Sequence, residues 1–368
     1  MVLRAPVGGL YRHVIDLTDE LGRRGHQVGL IMDSSLGDSQ TDKRLSSLKA
    51  PPALGVKRMP IPRLIGPGDL SAIFRVRKLA KAMKVDVLHG HGAKGGFNAR
   101  LAGFGRHNMI AAYTPHGGVL HYGQKSPVGK MLHTIERGLL KITDAILFES
   151  AFAKAAFEKQ IGKVPCPGPV VLNGLLRTDF SPLDPRLVEF DFAYVGELRA
   201  LKGIHYMLDA LVNVKRADGS AATLILGGGG PDEAAIREQI EMLGLKERVV
   251  MAGVQPALNV FARAGVVVMP SLMESLPYVA LEAAAASKPL IATDVGGVKE
   301  IFGPTSSALL PAGDSEALRA AMQNALDAPQ AANAEMETRL AWVAENFSIQ
   351  KMTDGIEKTY YECLKRAK

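Results

Sequence analysis

Two carboxylates with seven residues between them stand out in the stretch Glu274-Ser-Leu-Pro-Tyr-Val-Ala-Leu-Glu282. It follows an apolar run, Val266-Val-Val-Met269, that reads as a buried strand, with Pro270-Ser271 turning the chain. Ser275 is a candidate cap for the next helix, and Pro277 near its first turn gives up no needed N–H. The backbone of Ser275, Leu276 and Pro277, with the positive end of the helix dipole, would then form a site for a diphosphate. Glu282, about two turns further in, suits the two hydroxyls of a ribose. Glu274, before the helix, is placed to accept hydrogen bonds from a sugar on the other side of the anion. Such carboxylates repel phosphate itself but suit polyols flanking it; the bland alternative is a surface helix with two glutamates.

A second constellation is Val195-Gly196-Glu-Leu-Arg199-Ala-Leu-Lys202-Gly203, again directly after an apolar run. Arg199 is a fork and Lys202 a compact charge, and together they could neutralise a departing diphosphate. A third is Gly8-Gly9 opening a helix, where backbone can approach a phosphate closely. Gly227-Gly-Gly-Gly-Pro231 lacks the Gly-Lys-Ser/Thr of a P-loop and does not complete Gly-x-Gly-x-x-Gly, which argues against NTPases and dinucleotide oxidoreductases. Histidines gather in the first half as His89-Gly-His91, His116 and His133. No carboxylate or cysteine stands at a ligand spacing beside them, so they read as core or site-lining residues, with no metal expected. His116, in a Pro-His-Gly-Gly turn after Met109–Tyr113, is the best placed of them to touch a substrate.

These loops need strands and helices to hold them. Apolar residues at Leu10, Val14, Leu17 and Leu21 predict a first helix, and Val28–Met32 and Val85–Leu88 read as strands. Residues 34–70 look like a long irregular excursion. Prolines at 165, 167, 169, 182 and 185 suggest a boundary, giving domains 1–185 and 186–347. Past it strands at Phe192–Val195, Thr223–Leu226, Val249–Met251, Val266–Met269 and Leu290–Thr293 alternate with helices around 204–214, 232–243 and 277–286. The alternation implies right-handed crossovers and parallel sheets. An amphipathic helix over 348–368 is expected to pack back on the first domain. The first strand must lie within Met1–Val7, so it is very short or the chain starts late.

The 368 residues, 47% of them hydrophobic, suit two α/β domains. No apolar run reaches the ~18 residues of a membrane span, and two cysteines make no disulfide framework, which points to the cytoplasm. Residues 1–185 carry 26 Lys+Arg against 14 Asp+Glu, a net +12, while the rest carries 18 against 23, a net −5. The basic half suits an anionic partner such as a membrane surface or phosphorylated substrate. No zinc finger or RNA-binding signature supports nucleic acid.

Taken in order, Gly8-Gly9, His116-Gly117, Asn173-Gly174, Val195-Gly196 through Lys202-Gly203, Gly227–Pro231 and Glu274–Glu282 resemble glycosyltransferase family 4, the retaining group 1 glycosyl transferases of GT-B architecture. The resemblance spans nearly the whole chain; the Glu-x7-Glu element is its most specific part. It implies two Rossmann-like domains with parallel sheets facing a central cleft, the donor held by the second and the acceptor by the first. The donor would be a UDP- or GDP-sugar, with no other cofactor and no metal, and the acceptor a glycan or lipid-linked hydroxyl. Polysaccharide, lipopolysaccharide or other glycoconjugate synthesis, peripheral on the inner membrane face, is the implied setting. Glu282 would bind the ribose, Glu274 the sugar and Lys202 the diphosphate, with Gly9 near the phosphates and His116 near the reacting sugar. One departure is Glu197, where the family usually has Arg; Arg199 is the candidate replacement. A nucleotide-sugar epimerase of the same architecture and a non-catalytic nucleotide-sugar binder are the rival readings.

Overall fold

The computed structural model describes residues 1–37, 39–106, 108–123 and 125–367, in two compact units. Met1–Gly174 with Ile349–Lys368 form the first, and Leu175–Ser348 the second.

In the first unit, six strands form a parallel sheet: β1 (Val2–Leu3), β2 (Leu30–Asp33), β3 (Val56–Met59), β4 (Val87–His91), β5 (Ile110–Thr114) and β6 (Ala145–Ile146). Their spatial order is β3-β2-β1-β4-β5-β6. The order reverses at β1 and β4, which pair directly through Val2 with Gly90 and Leu3 with His91. In open α/β sheets, ligands bind outside the carboxyl ends of the strands at such a reversal. The helix Gly8–Arg23 buries Tyr11, Val14, Ile15, Leu17 and Leu21, and the first three of these pack with Leu3, Leu30 and Met32 of this sheet. A buried Arg100 forks onto Glu136 at 2.5 and 3.0 Å, and its guanidinium lies 4.0 Å from the Tyr113 ring centroid. Each charge in that pair satisfies the other's desolvation, so removing either alone would be costly.

The C-terminal helix Ile349–Ala367 belongs to the first unit. Its apolar stripe, Ile349, Met352, Ile356, Tyr360 and Cys363, is buried. Arg24 pairs with its Asp354 at 2.7 Å and with its Glu357, and Tyr360 bonds His89 Nδ1 at 2.6 Å.

The second unit has a parallel sheet of β7 (Phe190–Val195), β8 (Leu224–Gly227), β9 (Val249–Gly253), β10 (Ala264–Met269) and β11 (Leu290–Ala292), ordered β11-β10-β7-β8-β9. Its reversal lies at β7 and β10, paired through Val266 with Phe192 and Val267 with Ala193. Phe192, Tyr194, Leu224, Leu226, Val266 and Val268 meet Met207, Leu208 and Met322 in its core.

Three sequence expectations are corrected. The excursion 34–70 contains a helix, Ser39–Ser46, the edge strand β3 and the start of the helix Gly68–Ala82. The strand expected over Val85–Leu88 runs instead over Val87–His91 as β4, which places His89 and His91 in its last three residues, both buried. The chain enters the second unit at Leu175, not after 185. Leu175 N–H donates to Phe347 O at 2.8 Å, and Leu175 bridges Ser348, where the chain leaves again.

Candidate functional site

In the second unit, the chemistry gathers at the ends of β7 and β10, the two strands at the reversal. After β7 the chain passes Gly196, Glu197 and Arg199 into a short 3-10 turn, Ala200–Lys202, and then the helix Ile204–Leu211. After β10 it passes Pro270 and Ser271 into the loop that carries Glu274. The loops interlock: Leu272 N–H donates to Leu201 O at 2.9 Å. Gly203 makes this contact possible. It sits at φ +65, and a Cβ there would lie 2.0 Å from Pro270 O, so a side chain is excluded on both counts.

The result is an ion pair between residues far apart in sequence. Lys202 Nζ donates to Glu274 Oε1 at 2.6 Å, and the Ser271 hydroxyl donates to the same oxygen at 2.7 Å. The Glu274 side chain is 9% exposed and that of Lys202 25%. The pair therefore sits at a partly desolvated edge, where Coulomb attraction is stronger than in open water. Behind it, Thr293 hydroxyl donates to Ser271 O at 2.5 Å. Gly296, at φ +60, lets the next loop approach Glu274 O, which a Cβ there would meet at 2.0 Å.

The helix that follows runs Tyr278–Ala285, with Pro277 as its N-cap and no side-chain cap bond. Ser275 is therefore not the cap: its carbonyl instead accepts from Gly297 N–H at 2.6 Å, which ties the helix entry to the loop after β11. Leu276 and Pro277 are buried. Glu282 is half-buried in the second turn of the helix. Arg199 lies 3.7 Å from Glu197, and both side chains are about half exposed. Gly196 N–H donates to Gly227 O at 3.0 Å, and Leu198 N–H to Gly229 O at 3.0 Å, so the glycine run after β8 backs the Lys202 loop.

The first unit places Gly8 and Gly9 at the exposed start of the helix that follows β1, with Gly8 at φ +63. His116 follows β5 in a turn where it and the next two residues, Gly117 and Gly118, all have positive φ. A histidine in that region is uncommon and costs of order 1 kcal/mol or more, which marks the turn as held by its surroundings. Gly117 N–H donates to Glu149 Oε1 at 3.1 Å. His116 Nε2 lies 3.2 Å from His91 Nδ1. Burial pushes the His116 imidazole down to about 3, so it is neutral in ordinary buffers.

Sequence reasoning missed His13, Glu149 and Ser271. His13 had a signal: it lies three and four residues from Leu10 and Leu17, on the buried stripe of its own helix. Glu149 had none, because its partner Gly117 is distant in sequence; Ser271 had a local one, since it lies three residues before Glu274 in the same turn.

Residues 7–175 match the family model described as Glycosyltransferase Family 4, and residues 178–345 the one described as Glycosyl transferases group 1. A glycogen synthase of Mycobacterium tuberculosis is 27% identical over 382 aligned residues, covering 96% of this chain and 91% of that protein. A D-inositol 3-phosphate glycosyltransferase of Segniliparus rotundus is 32% identical over 190 residues, 50% of this chain and 42% of that one. Among solved structures, Anabaena Alr3699/HepE in complex with UDP-glucose superposes with a TM-score of 0.81 at 19% identity, covering 98% of this chain and 99% of that one. A sucrose-phosphate synthase of Thermosynechococcus elongatus gives 0.79 at 20% identity, covering 98% of both.

Proposed function

The chain belongs to glycosyltransferase family 4, the group 1 glycosyl transferases of GT-B fold, and we propose that it moves a sugar from a nucleoside-diphosphate sugar to an acceptor hydroxyl with retention and without a metal ion. The observation that carries this reading is the Lys202–Glu274 pair at 2.6 Å beside the start of the helix Tyr278–Ala285, at the sheet reversal of the second unit.

Lys202 and the helix N-terminus hold the diphosphate, and Arg199 adds a second cation once it turns from Glu197. Glu274 accepts hydrogen bonds from the donor sugar, Glu282 from the ribose. The sugar–oxygen bond breaks with its electron pair leaving on the diphosphate. The acceptor hydroxyl attacks from the same face, and its proton passes to the departing phosphate oxygen. Lys202 and the helix dipole stabilise the growing negative charge, the kind of term that dominates when no protein nucleophile is needed. His116, on its constrained turn, contacts the reacting sugar.

The acceptor is a glycan or lipid-linked hydroxyl, and the basic first unit suits an enzyme working at an anionic membrane on its cytoplasmic side. Among the described residues no helix is long and apolar enough to cross a membrane.

The test is a melting-temperature screen against UDP, GDP and their sugars, followed by assay of nucleoside-diphosphate release. One nucleotide series should raise stability by about 2.7 kcal/mol at a hundred times its Kd, and its sugar should be turned over. Stabilisation without turnover would favour the non-catalytic binder; no stabilisation by any of them would overturn the donor site.

A further inference from the structure

Three imidazoles converge in the first unit from three separate elements: His13 from the helix Gly8–Arg23, His91 from the end of β4, and His116 from the turn after β5. One ring nitrogen from each lies within 4.8 Å of the others. Two features separate this cluster from a chance gathering of core histidines. His13 is 2% exposed, yet its Nε2 has no hydrogen-bond partner. Its Nδ1 lies 3.0 Å from Asn173 Oδ1. An amide oxygen only accepts, so this contact puts the proton on Nδ1 and leaves a bare lone pair on Nε2. A side-chain or backbone oxygen that fixes the second nitrogen of an imidazole is the usual partner of a metal-ligating histidine. His91 has the same construction in weaker form: its Nε2 lies 3.4 Å from Met1 Sδ, which leaves Nδ1 turned to His116 Nε2 at 3.2 Å.

We propose that His13 Nε2, His91 Nδ1 and His116 Nε2 form a site for a divalent transition-metal ion of the zinc class. Nitrogen ligands at ~2.0–2.1 Å in tetrahedral array stand about 3.3 Å apart, close to the 3.2 Å already present between His91 and His116. With one ring nitrogen of each residue within 4.8 Å of the others, no gap has to close by more than about 1.5 Å to reach the same spacing. The half-buried His116 leaves the fourth position for water or a small ligand. His89 is no ligand, since Tyr360 and Thr114 occupy both of its nitrogens at 2.6 and 2.9 Å. All-imidazole ligation favours zinc, cobalt, nickel or copper over magnesium and calcium, which need oxygen. Glu149, which holds the turn through Gly117 N–H, supplies a nearby negative charge. If His116 contacts the reacting sugar, as the proposed function has it, an ion here competes with the sugar and inhibits transfer. The binding site itself does not depend on that reading.

Cobalt titration of the chelator-stripped full chain tests it. One equivalent of Co2+ should give the intense visible bands of a four-coordinate ion, and Zn2+ should abolish them. Asn173→Ala should weaken binding roughly 10–100-fold, the usual loss when an outer-shell partner is removed. His13→Gln and His91→Gln should each lower affinity further, whereas His205→Gln in the second unit should change nothing. If burial makes either variant fail to fold by circular dichroism, His116→Gln removes the least buried of the three ligands without opening the core. The absence of a one-to-one band, or a band that survives in the folded ligand variants, would overturn the site. A donor-binding failure with the cobalt band intact would instead count only against the proposed function.

Discussion

Lys202 and Glu274 compensate each other in the structure, so a diphosphate has to share or displace that contact. The anion brings two or more negative charges toward Lys202, against one on Glu274, whose oxygen keeps the Ser271 hydroxyl at 2.7 Å when the lysine turns away. Lys202→Ala should therefore leave the fold intact, because Glu274 retains a donor and a 9%-exposed route to solvent. Turnover should fall roughly 10²–10³-fold, the loss typical of one electrostatic stabiliser. Steady-state kinetics beside a melting curve would check this, and unchanged turnover would remove the role. Glu274 and Lys202 were legible as residues because each follows an apolar strand within a short loop, where α/β sheets place their ligands. That they touch was not legible, since nothing local joins positions 72 apart in the chain. His13 shows the converse: its stripe position was visible, but a lone histidine on an apolar face reads first as core.

Elements, rather than side chains, set how closely the two loops of the second unit meet. Gly203 tolerates both a left-handed φ and the 2.0 Å approach of Pro270 O to the place a Cβ would take. Gly203→Ala should cost roughly 1–3 kcal/mol in backbone strain alone, lowering the melting temperature by several degrees. It should also weaken nucleoside-diphosphate binding, because Lys202 is the preceding residue. Calorimetric titration beside a melt would read both; an alanine variant with the parent's melting temperature and affinity would show that the loops have room to spare. Strand–helix alternation predicted most of these elements, their ends shifting by a few residues, because buried parallel strands are continuous apolar runs. The segment 34–70 escaped that logic. Ser39–Ser46 is a polar helix with Leu45 as its single large apolar residue, and β3 is an edge strand reading Val-Lys-Arg-Met, neither with a periodic apolar face. The proline-rich stretch likewise marked irregular chain but not the unit boundary, which the Leu175–Ser348 pairing decides.

At the scale of the whole molecule, the charge is split: net +12 over residues 1–185 and −5 over the remainder, from 26 Lys+Arg against 14 Asp+Glu and 18 against 23. Part of that positive charge surrounds apolar side chains turned to solvent. Leu64, Leu70 and Phe74 are 78%, 63% and 69% exposed. Arg63, Arg75, Lys78 and Lys81 are exposed around them, on or just before the helix Gly68–Ala82. The one acidic residue of that helix, Asp69, is buried against Lys94 at 2.5 Å and does not offset them. Exposed apolar residues flanked by unopposed cations suit the headgroup boundary of an anionic bilayer, where each Lys or Arg contributes about 1 kcal/mol near the surface. The full chain should co-sediment with vesicles containing phosphatidylglycerol at low salt, bind zwitterionic vesicles far less, and be released as salt shortens the Debye length to about 3 Å near 1 M. Replacing Leu70 and Phe74 together by serine should weaken binding without lowering the melting temperature, because both side chains are already in water. Binding that ignored lipid charge, or survived the double substitution unchanged, would place any membrane contact elsewhere on the chain.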